Sequence, residues 1–386
     1  MNFLIALVLV LAVAAISQIL KVYRLSSNLS DTREEEIDEK SNDRVGTGML
    51  LFGIFLVVFL FWLIYAYSDE FLPQAATLHG VEIDWLMKYN LYLVTAVYAV
   101  FNLILFYFTN KYKYKKGVKA FYYSHSNKLE VIWTVVPSIV MAVVVIAGIF
   151  IWNKINDDPS PDAIAVQLYA KQFDWTARYS GADNKLGPSS FNFISSTNPL
   201  GVITDNTRSS QLKDTEELIA NMKDDLKNKI MSETASEEMR GKLGRLERLR
   251  VRILGFDSTS EDYLSANDDV IVKEMYFPVN KEVNFHINSR DVLHSVFIPH
   301  FRLQMNAVPG MTTNFKFTPI ITSKQMQEDL NDPDFKYVLM CNKICGASHY
   351  NMRMEIKVVS EDEYEDWLAS NKDFVTKQKE LTASAE

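Results

Sequence analysis

Only two cysteines, Cys341 and Cys345, occur among the 386 residues of the chain. In an oxidising compartment they could form no more than one internal disulfide. No Cys-x-x-Cys-His stretch is present, so the chain carries no fused haem c domain. No Lys or Arg precedes the first apolar run, which argues against a cleaved signal peptide but leaves open whether Met1 to Leu20 is retained.

Apolar residues are concentrated in the first 152 positions. Each of four runs has about the 20 residues that a helix needs to cross the hydrocarbon core. The runs are Phe3 to Leu20, Gly48 to Tyr67, Leu91 to Thr109, and Trp133 to Trp152. The sequence therefore predicts four transmembrane helices.

Loop charges orient these helices. The loop "NKYKYKKGVKAFYYSHSNK" contains many lysines and no acid, which places it in the cytoplasm by the positive-inside rule. The loop from Ser68 to Asn90 is mostly acidic and is expected outside. Residues 153–386 should then form an extracytoplasmic portion. The net charge of −8 argues against nucleic acid as a partner and is compatible with a basic protein partner.

Short apolar or alternating segments follow the polar linker "NKINDDPSPD". In "KEVNFHINS", Val283, Phe285 and Ile287 alternate with polar residues, which is typical of a half-buried strand with His286 exposed. Several such segments separated by turn residues predict a β-sandwich or barrel. The others are "AIAVQLYA", "VIVKEMYF", "VLHSVFI", "TNFKFTP" and "KYVLM".

Residues 210–254 interrupt the strand pattern. They are rich in Glu, Lys, Leu, Met and Arg and show helical apolar stripes, which predict two inserted helices. The stripes are Ile219, Met222, Leu226 and Ile230, then Met239, Leu243, Leu246 and Ile253. The hairpin could lie solvated on its own sandwich or form a docking surface for a partner. Near the C-terminus, Ser360 and Glu363 predict a capping box, and 371–386 is expected to be a frayed tail.

The stretch "CNKICGASHYNM" places Cys341, Cys345, His349 and Met352 within twelve residues. Two thiolates, an imidazole and a thioether form a soft to borderline donor set that selects copper over hard cations. Upstream, "RDVLHSVFIP" supplies His294. Zinc is the main competing metal for a Cys2His2 set, although it would not require the methionine. A disulfide would leave the histidine and methionine unexplained.

Together, "DVLHSVFIP", "NAVPGMTTNFKFTP" and "CNKICGASHYNM" closely resemble the binuclear copper (CuA) domain of subunit II of haem-copper cytochrome c oxidases, of bacterial type. "LEVIWTVVP" resembles the start of that family's second membrane helix. The resemblance covers about 88–180 and 267–370.

The resemblance implies a membrane-anchored chain with a cupredoxin-like β-sandwich or barrel and a helical insertion. The expected domains are 1–70, two extra transmembrane helices with a cytoplasmic loop; 88–152, a helix hairpin; 160–180 with 267–370, the copper domain; 181–266, a charged helical insertion; and 371–386, a tail.

The same resemblance implies two copper ions. Cys341 and Cys345 would bridge both ions through their thiolates. His349 and the backbone carbonyl of Lys343 would bind one ion, and His294 and Met352 would bind the other.

The implied function is electron transfer in a respiratory oxidase of the bacterial inner membrane. A c-type cytochrome or haem c subunit would deliver electrons, which would pass to haem a of subunit I for oxygen reduction coupled to proton pumping. Phe173 stands where better-studied members have a surface tryptophan, so Phe173 and Trp175 are candidates for the point where electrons enter. Other oxidase subunits, membrane lipid and a larger respiratory supercomplex are further expected partners.

Several positions depart from the family pattern. Lys343 replaces a glutamate that binds magnesium, so no magnesium ligand is expected from this side chain. Gln304, Asn306 and Met311 stand where many members have Lys, Asp and Arg. Glu130 is either a solvated residue at a helix start or the entrance of a proton path into subunit I. Pro137 is expected in the first turn of its helix, where proline is tolerated.

Four other classes of protein share part of this pattern. A quinol oxidase subunit II would share the fold but lack the copper ligands, which are all present here. A thiol-dependent copper-delivery protein would lack the His-x2-Met sequence and the membrane hairpin. A nitrous oxide reductase would need a large further catalytic domain. A structural membrane protein with one disulfide is a further alternative, but it would leave the nearby histidine and methionine unexplained.

Overall fold

A computed structural model describes residues 2–29, 38–257 and 259–383. Within it the chain divides into two compact units. One unit contains residues 1–71 and 91–134, and the other contains residues 72–90 and 135–386. Two long helices contribute residues to both units.

Among the residues that the structure describes, four α-helices precede the β domain: α1 (Asn2–Leu29), α2 (Glu39–Ala66), α3 (Leu78–Lys111) and α4 (Asn127–Asn156). In the part of the chain that is described, α2, α3 and α4 are long and apolar enough to cross a membrane. The predicted first span, Phe3 to Leu20, lies partly outside the residues whose side chains are described, although its backbone is helical.

Two details of the membrane prediction were wrong. The helix α3 already begins at Leu78, so much of the acidic outer loop is helical, because "LHGVEIDWLMKYN" contains no proline. The helix α4 begins at Asn127, where the Ser126 hydroxyl accepts a hydrogen bond from the Leu129 N–H at 3.4 Å. Pro137 therefore lies in the helix interior and not in its first turn.

In the first unit, α2 packs closely on α3. A Cβ atom added to Gly53 would overlap the Phe106 ring, so the glycine allows the two backbones to approach. Near one end of this contact, Lys113, two residues after the end of α3, forms an ion pair with Asp43 of α2. The extra helix α2 is thus joined to the hairpin helix by both apolar packing and charge.

Ten strands build two five-stranded sheets with orders β3-β2-β1-β5-β8 and β4-β10-β9-β6-β7. The strands are β1 (Ile164–Lys171), β2 (Asp174–Tyr179), β3 (Val270–Val272), β4 (Met275–Pro278), β5 (Val283–Ser289), β6 (His294–Ile298), β7 (Leu303–Ala307), β8 (Thr313–Phe317), β9 (Tyr337–Cys341) and β10 (Arg353–Val359). The segment "VIVKEMYF" is split, since β3 joins the first sheet and β4 the second. The predicted sandwich with a helical insertion is confirmed.

Both sheets contribute to one apolar core. Leu168 and Phe285 from the first sheet and Val296 and Ile356 from the second are buried in the same cluster. The alternation predicted for β5 is confirmed. His286, expected to be exposed, is only half-exposed, because loop residues of the insertion cover the outer face of the first sheet and line a cavity there with it.

The insertion forms α5 (Asp205–Asn228), α6 (Glu233–Leu254) and the short α7 (Glu261–Leu264). At the base of the hairpin, Ile253 lies in a small core of its own with Ile203 and Tyr263. Ile230, assigned above to the apolar stripe, follows the end of α5 and is fully exposed. The two-helix prediction is otherwise confirmed.

Three further helices complete the domain: α8 (Ser323–Leu330), α9 (Glu361–Ser370) and α10 (Phe374–Ala383). The capping box of Ser360 and Glu363 is confirmed at the start of α9. The prediction of a frayed tail was wrong for residues 374–383, because Phe374 is buried against Leu200 and Val202 of the insertion. The last three residues lie outside the described part.

Candidate metal centre

Two adjacent strands of the second sheet carry the candidate ligands. His294 opens β6, and Cys341 closes β9, which pairs with β6 so that Val296 lies opposite Cys341. The loop that follows Cys341 turns back, and the Cys341 N–H donates to the Met352 carbonyl at 3.0 Å. The β pairing and this hydrogen bond bring residues 294 and 341–352 to one end of the sheet.

Six potential donor groups meet at this end. Cys341 Sγ lies 3.9 Å from Cys345 Sγ, 3.8 Å from His294 Nδ1 and 3.2 Å from the Lys343 carbonyl oxygen. Cys345 Sγ lies 3.6 Å from His349 Nδ1 and 3.9 Å from Met352 Sδ. Both cysteines are free thiols. Each imidazole thus presents Nδ1 to a sulfur, as expected of groups that share a metal.

Burial differs across the site. His294, Cys345 and Met352 are buried, whereas Cys341 and His349 are half-buried. Burial and the neighbouring Cys341 raise the pKa of the Cys345 thiol to about 11. A metal that binds here must therefore displace thiol protons, which makes its affinity increase with pH.

Asp291 fixes the orientation of His294. Its carboxylate lies 2.8 Å from His294 Nε2 and accepts hydrogen bonds from the backbone N–H groups of Gln172 and Val292, each at 2.7 Å. Burial acts to raise the pKa of Asp291, but these hydrogen bonds outweigh it and lower the pKa. With Nε2 bound to a carboxylate, Nδ1 is left to face the thiols.

The turn between β1 and β2 packs on the ligand loop. The Gln172 side-chain amide donates to the Cys345 carbonyl. Gly346 has a φ of +143°, and a Cβ there would lie 2.8 Å from the half-buried Phe173 ring. Trp175 is completely buried, with its ring centroid 6.1 Å from that of His294. Of the two aromatic candidates, only Phe173 therefore has a surface that another protein could touch.

The remaining candidate residues lie on the surface. Lys343 projects its exposed side chain away while its carbonyl faces Cys341. Gln304, Asn306 and Met311 are exposed. Glu130 is exposed near the start of α4, and its N–H donates to the Ser126 carbonyl at 2.9 Å.

Comparison with known proteins gives two family matches. The transmembrane domain of cytochrome c oxidase subunit II matches residues 65–150, and its periplasmic domain matches residues 257–359. The second match contains every candidate ligand.

Curated relatives agree with these matches. An alternative cytochrome c oxidase subunit 2 of Bradyrhizobium diazoefficiens is 25% identical over 76% of this chain and 81% of its own length. A cytochrome c oxidase subunit 2 of Cereibacter sphaeroides is 23% identical over 77% of this chain and 78% of its own. One from Thermostichus vulcanus is 32% identical, but over only 28% of this chain and 29% of its own length.

The chain belongs to the cytochrome c oxidase subunit II family. It is thus a subunit of an oxidoreductase complex, with a membrane portion and an extracytoplasmic domain. Residues 1–64 and 151–256, which contain α1, most of α2 and the helical hairpin, lie outside both family matches.

Two residues of the site were not assigned a role from the sequence. Asp291 stands inside a quoted motif and Gln172 directly precedes Phe173, but the contacts of Gln172 with Asp291 and Cys345 join segments more than 100 residues apart in the chain. Asp291 could have been suspected, since a carboxylate three residues before a ligand histidine can reach its imidazole. No local pattern indicates that Gln172 would bond the Cys345 carbonyl.

Proposed function

We propose that this chain is the electron-transfer subunit of a respiratory terminal oxidase and that it binds two copper ions at the candidate centre. The ligands would be the Cys341 and Cys345 thiolates, the His294 and His349 imidazoles, the Met352 thioether and the Lys343 carbonyl. The observation that carries the proposal is the convergence of these six groups on one another, with both Nδ1 atoms directed at sulfur.

The number and type of donors favour two ions of copper. One tetrahedral ion would leave two of the six groups unused. Together, the two thiolates, the two imidazoles and the two weaker donors, the carbonyl and the thioether, would be enough to hold two ions. Thiolate and thioether sulfur favour copper over magnesium or calcium, and zinc does not need the thioether.

Bound copper would supply one-electron redox chemistry at this position. The chain's own contribution is to hold the ligands still. The thiolates lie on a strand end and on a loop that is anchored by the Gln172 amide and by the Phe173 ring. Asp291 holds the His294 imidazole, and the buried Met352 helps to exclude water. Ligands fixed in this way should move little between redox states.

The partners follow from the family. Electrons would come from a c-type cytochrome or haem c subunit and pass to haem a of subunit I, in a bacterial inner membrane. We place the arrival of electrons near the exposed edge of Phe173, since Trp175 is buried. Glu130 stays a candidate for a proton-path entrance, and Lys343 is expected to provide no magnesium ligand.

Copper stoichiometry and low-temperature electron paramagnetic resonance test the proposal on the full-length chain in detergent. We expect two copper ions per chain and a hyperfine pattern from one electron shared by two copper nuclei. Cys345→Ser should lose that pattern, while Ser348→Ala in the same loop should keep it. One copper ion or none in the folded protein, with Cys341 and Cys345 joined in a disulfide, would instead favour a thiol-dependent copper-delivery or structural role.

A further inference from the structure

The outer face of α6 carries four exposed arginines: Arg240, Arg245, Arg248 and Arg252. We call this surface the α6 arginine face. Arg245, Arg248 and Arg252 are spaced three and four residues apart, so they stand on one side of the helix. None of the four has an ion-pair partner within the part of the chain that the structure describes.

Three acidic residues near these arginines already have partners. Glu216 of α5 binds Arg250 at 2.8 Å, and Glu238 binds Lys242 at 2.8 Å. Glu247, the single acid between Arg240 and Arg252, binds a lysine of α5. The salt bridges between and along these two helices thus use Lys223, Lys242 and Arg250. The α6 arginine face has no salt-bridge partner among the described residues, although the charge of Arg245 helps to lower the pKa of Glu238, and the chain as a whole has a net charge of −8.

This face weakens its own helix. Like charges three and four residues apart repel each other. Gly241 and Gly244 lie one turn before Arg245 and Arg248, and glycine inside a helix is destabilising. Neither glycine has a positive φ, and a Cβ at either position would meet only an arginine side chain, at 3.6 Å or more. Packing among the described residues therefore does not require glycine at these two positions, and the missing side chains leave the helix surface open there.

The apolar side of α6 is already used. Leu249 and Ile253 pack with Leu212 of α5 in the core at the base of the hairpin. A helix that lies on a lipid surface needs a free apolar face to insert between headgroups. The exposed large apolar residues of α6 are Val251 and Leu254, which do not form a continuous apolar face. A protein partner therefore fits this surface better than a membrane.

We propose that the α6 arginine face docks an acidic surface of a partner protein on the extracytoplasmic side. The partner is expected to present several Asp or Glu carboxylates along one element. Guanidinium groups bind carboxylates with two parallel hydrogen bonds, and all four cations of this face are arginines. The two glycines allow the partner backbone to approach α6 closely.

The test is site-specific photo-crosslinking in the organism's own membranes. A photoreactive amino acid replaces Arg248 in the full-length chain, and the attached peptides are identified by mass spectrometry. We expect crosslinks to a segment rich in Asp and Glu. Adding Arg245→Glu and Arg252→Glu should lower the crosslink yield about tenfold, as expected when charge complementarity across an interface is reversed.

The matched control makes the same change of charge elsewhere on the hairpin. Lys213→Glu with Lys227→Glu alters two exposed lysines of α5 and should leave the yield unchanged. Adducts with lipid alone, no adduct, or a contact segment without acids would overturn the proposal. So would an equal loss of yield in the control pair.

The proposal is separable from the copper assignment. The charge-reversal variants should keep the copper content and the resonance pattern of the unaltered chain, which also shows that they fold. A chain that binds no copper but still crosslinks to an acidic partner would remove the proposed function and leave this inference in place.

Discussion

Asp291 and His294 illustrate how one contact can fix the chemistry of a ligand. The carboxylate is itself held by two backbone N–H groups, so it cannot easily rotate away from the imidazole. A carboxylate that accepts from the second nitrogen sets the tautomer and raises the basicity of the nitrogen that faces the metal. Asp291 is therefore a positioning residue for the proposed centre.

Asp291→Asn should weaken copper binding about 10- to 100-fold without unfolding the domain, because an amide cannot hold the imidazole as a carboxylate does. Competition with a copper chelator of known affinity measures the change. Asp366→Asn, an exposed site on α9, provides the control. Equal affinities for the two variants would show that Asp291 does not act through His294.

At the scale of elements, the ligand loop depends on the turn beneath it. Gly346 combines a φ of +143° with direct contact to Phe173, whereas Gly310 has a φ of +77° and open space around it. Alanine at Gly310 would meet backbone strain alone. Alanine at Gly346 would also force the Phe173 ring or the Cys345 segment to move.

Gly346→Ala should therefore lower copper occupancy more than Gly310→Ala does, with a distorted resonance pattern. Adding Phe173→Leu to Gly346→Ala should recover part of the loss, since the smaller side chain relieves the steric clash but not the backbone strain. Copper content after gel filtration measures each variant. No recovery in the double variant would mean that the ring does not support the loop.

The C-terminal helix α10 packs against the insertion through the large side chain of Phe374. Phe374 is 3% exposed and contacts residues of the insertion. Phe374→Ala should cost about 3–5 kcal/mol through lost burial and the cavity left behind. Leu264→Ala, at a position that is 48% exposed, should cost much less. Denaturant unfolding followed by tryptophan fluorescence compares them, and similar midpoints would show that α10 is not packed in solution.

At the scale of the whole molecule, the insertion helps to bury a pair of charged side chains against the first sheet. Arg178 of β2 and Asp269 are both buried, with Nε and Oδ2 3.5 Å apart. Burial raises the pKa of Asp269 to about 7, and the Arg178 charge offsets this only in part. The folded protein thus holds a proton on Asp269 at pH values where the unfolded chain releases it.

This proton makes stability depend on pH. Its contribution is fully present below the unfolded pKa of 3.8, decreases as the pH rises, and is lost above about 7. The Asp269→Asn variant cannot ionise at this position. As the pH rises through this window, the unfolding free energy of the native chain should therefore decrease relative to that of the variant, by on the order of 1–4 kcal/mol. Melting curves at a series of pH values measure the difference. Parallel curves would contradict the assignment.

Sequence patterns determined much of this protein, because each depends on neighbours in the chain. The length of the apolar runs predicts the membrane helices, period-two alternation predicts β5, and the capping box predicts the start of α9. The spacing within 341–352 alone places two thiols, an imidazole and a thioether within reach of one metal centre.

Tertiary structure decided what depends on residues far apart in the chain. It placed His294 beside Cys341, turned Asp291 and Gln172 into supports of the ligands, and split β3 and β4 between two sheets. It also covered His286 and ordered α10, because the insertion provides surfaces that no local pattern encodes. Burial and pairing across long separations are properties of the packed molecule, so only the fold could determine them.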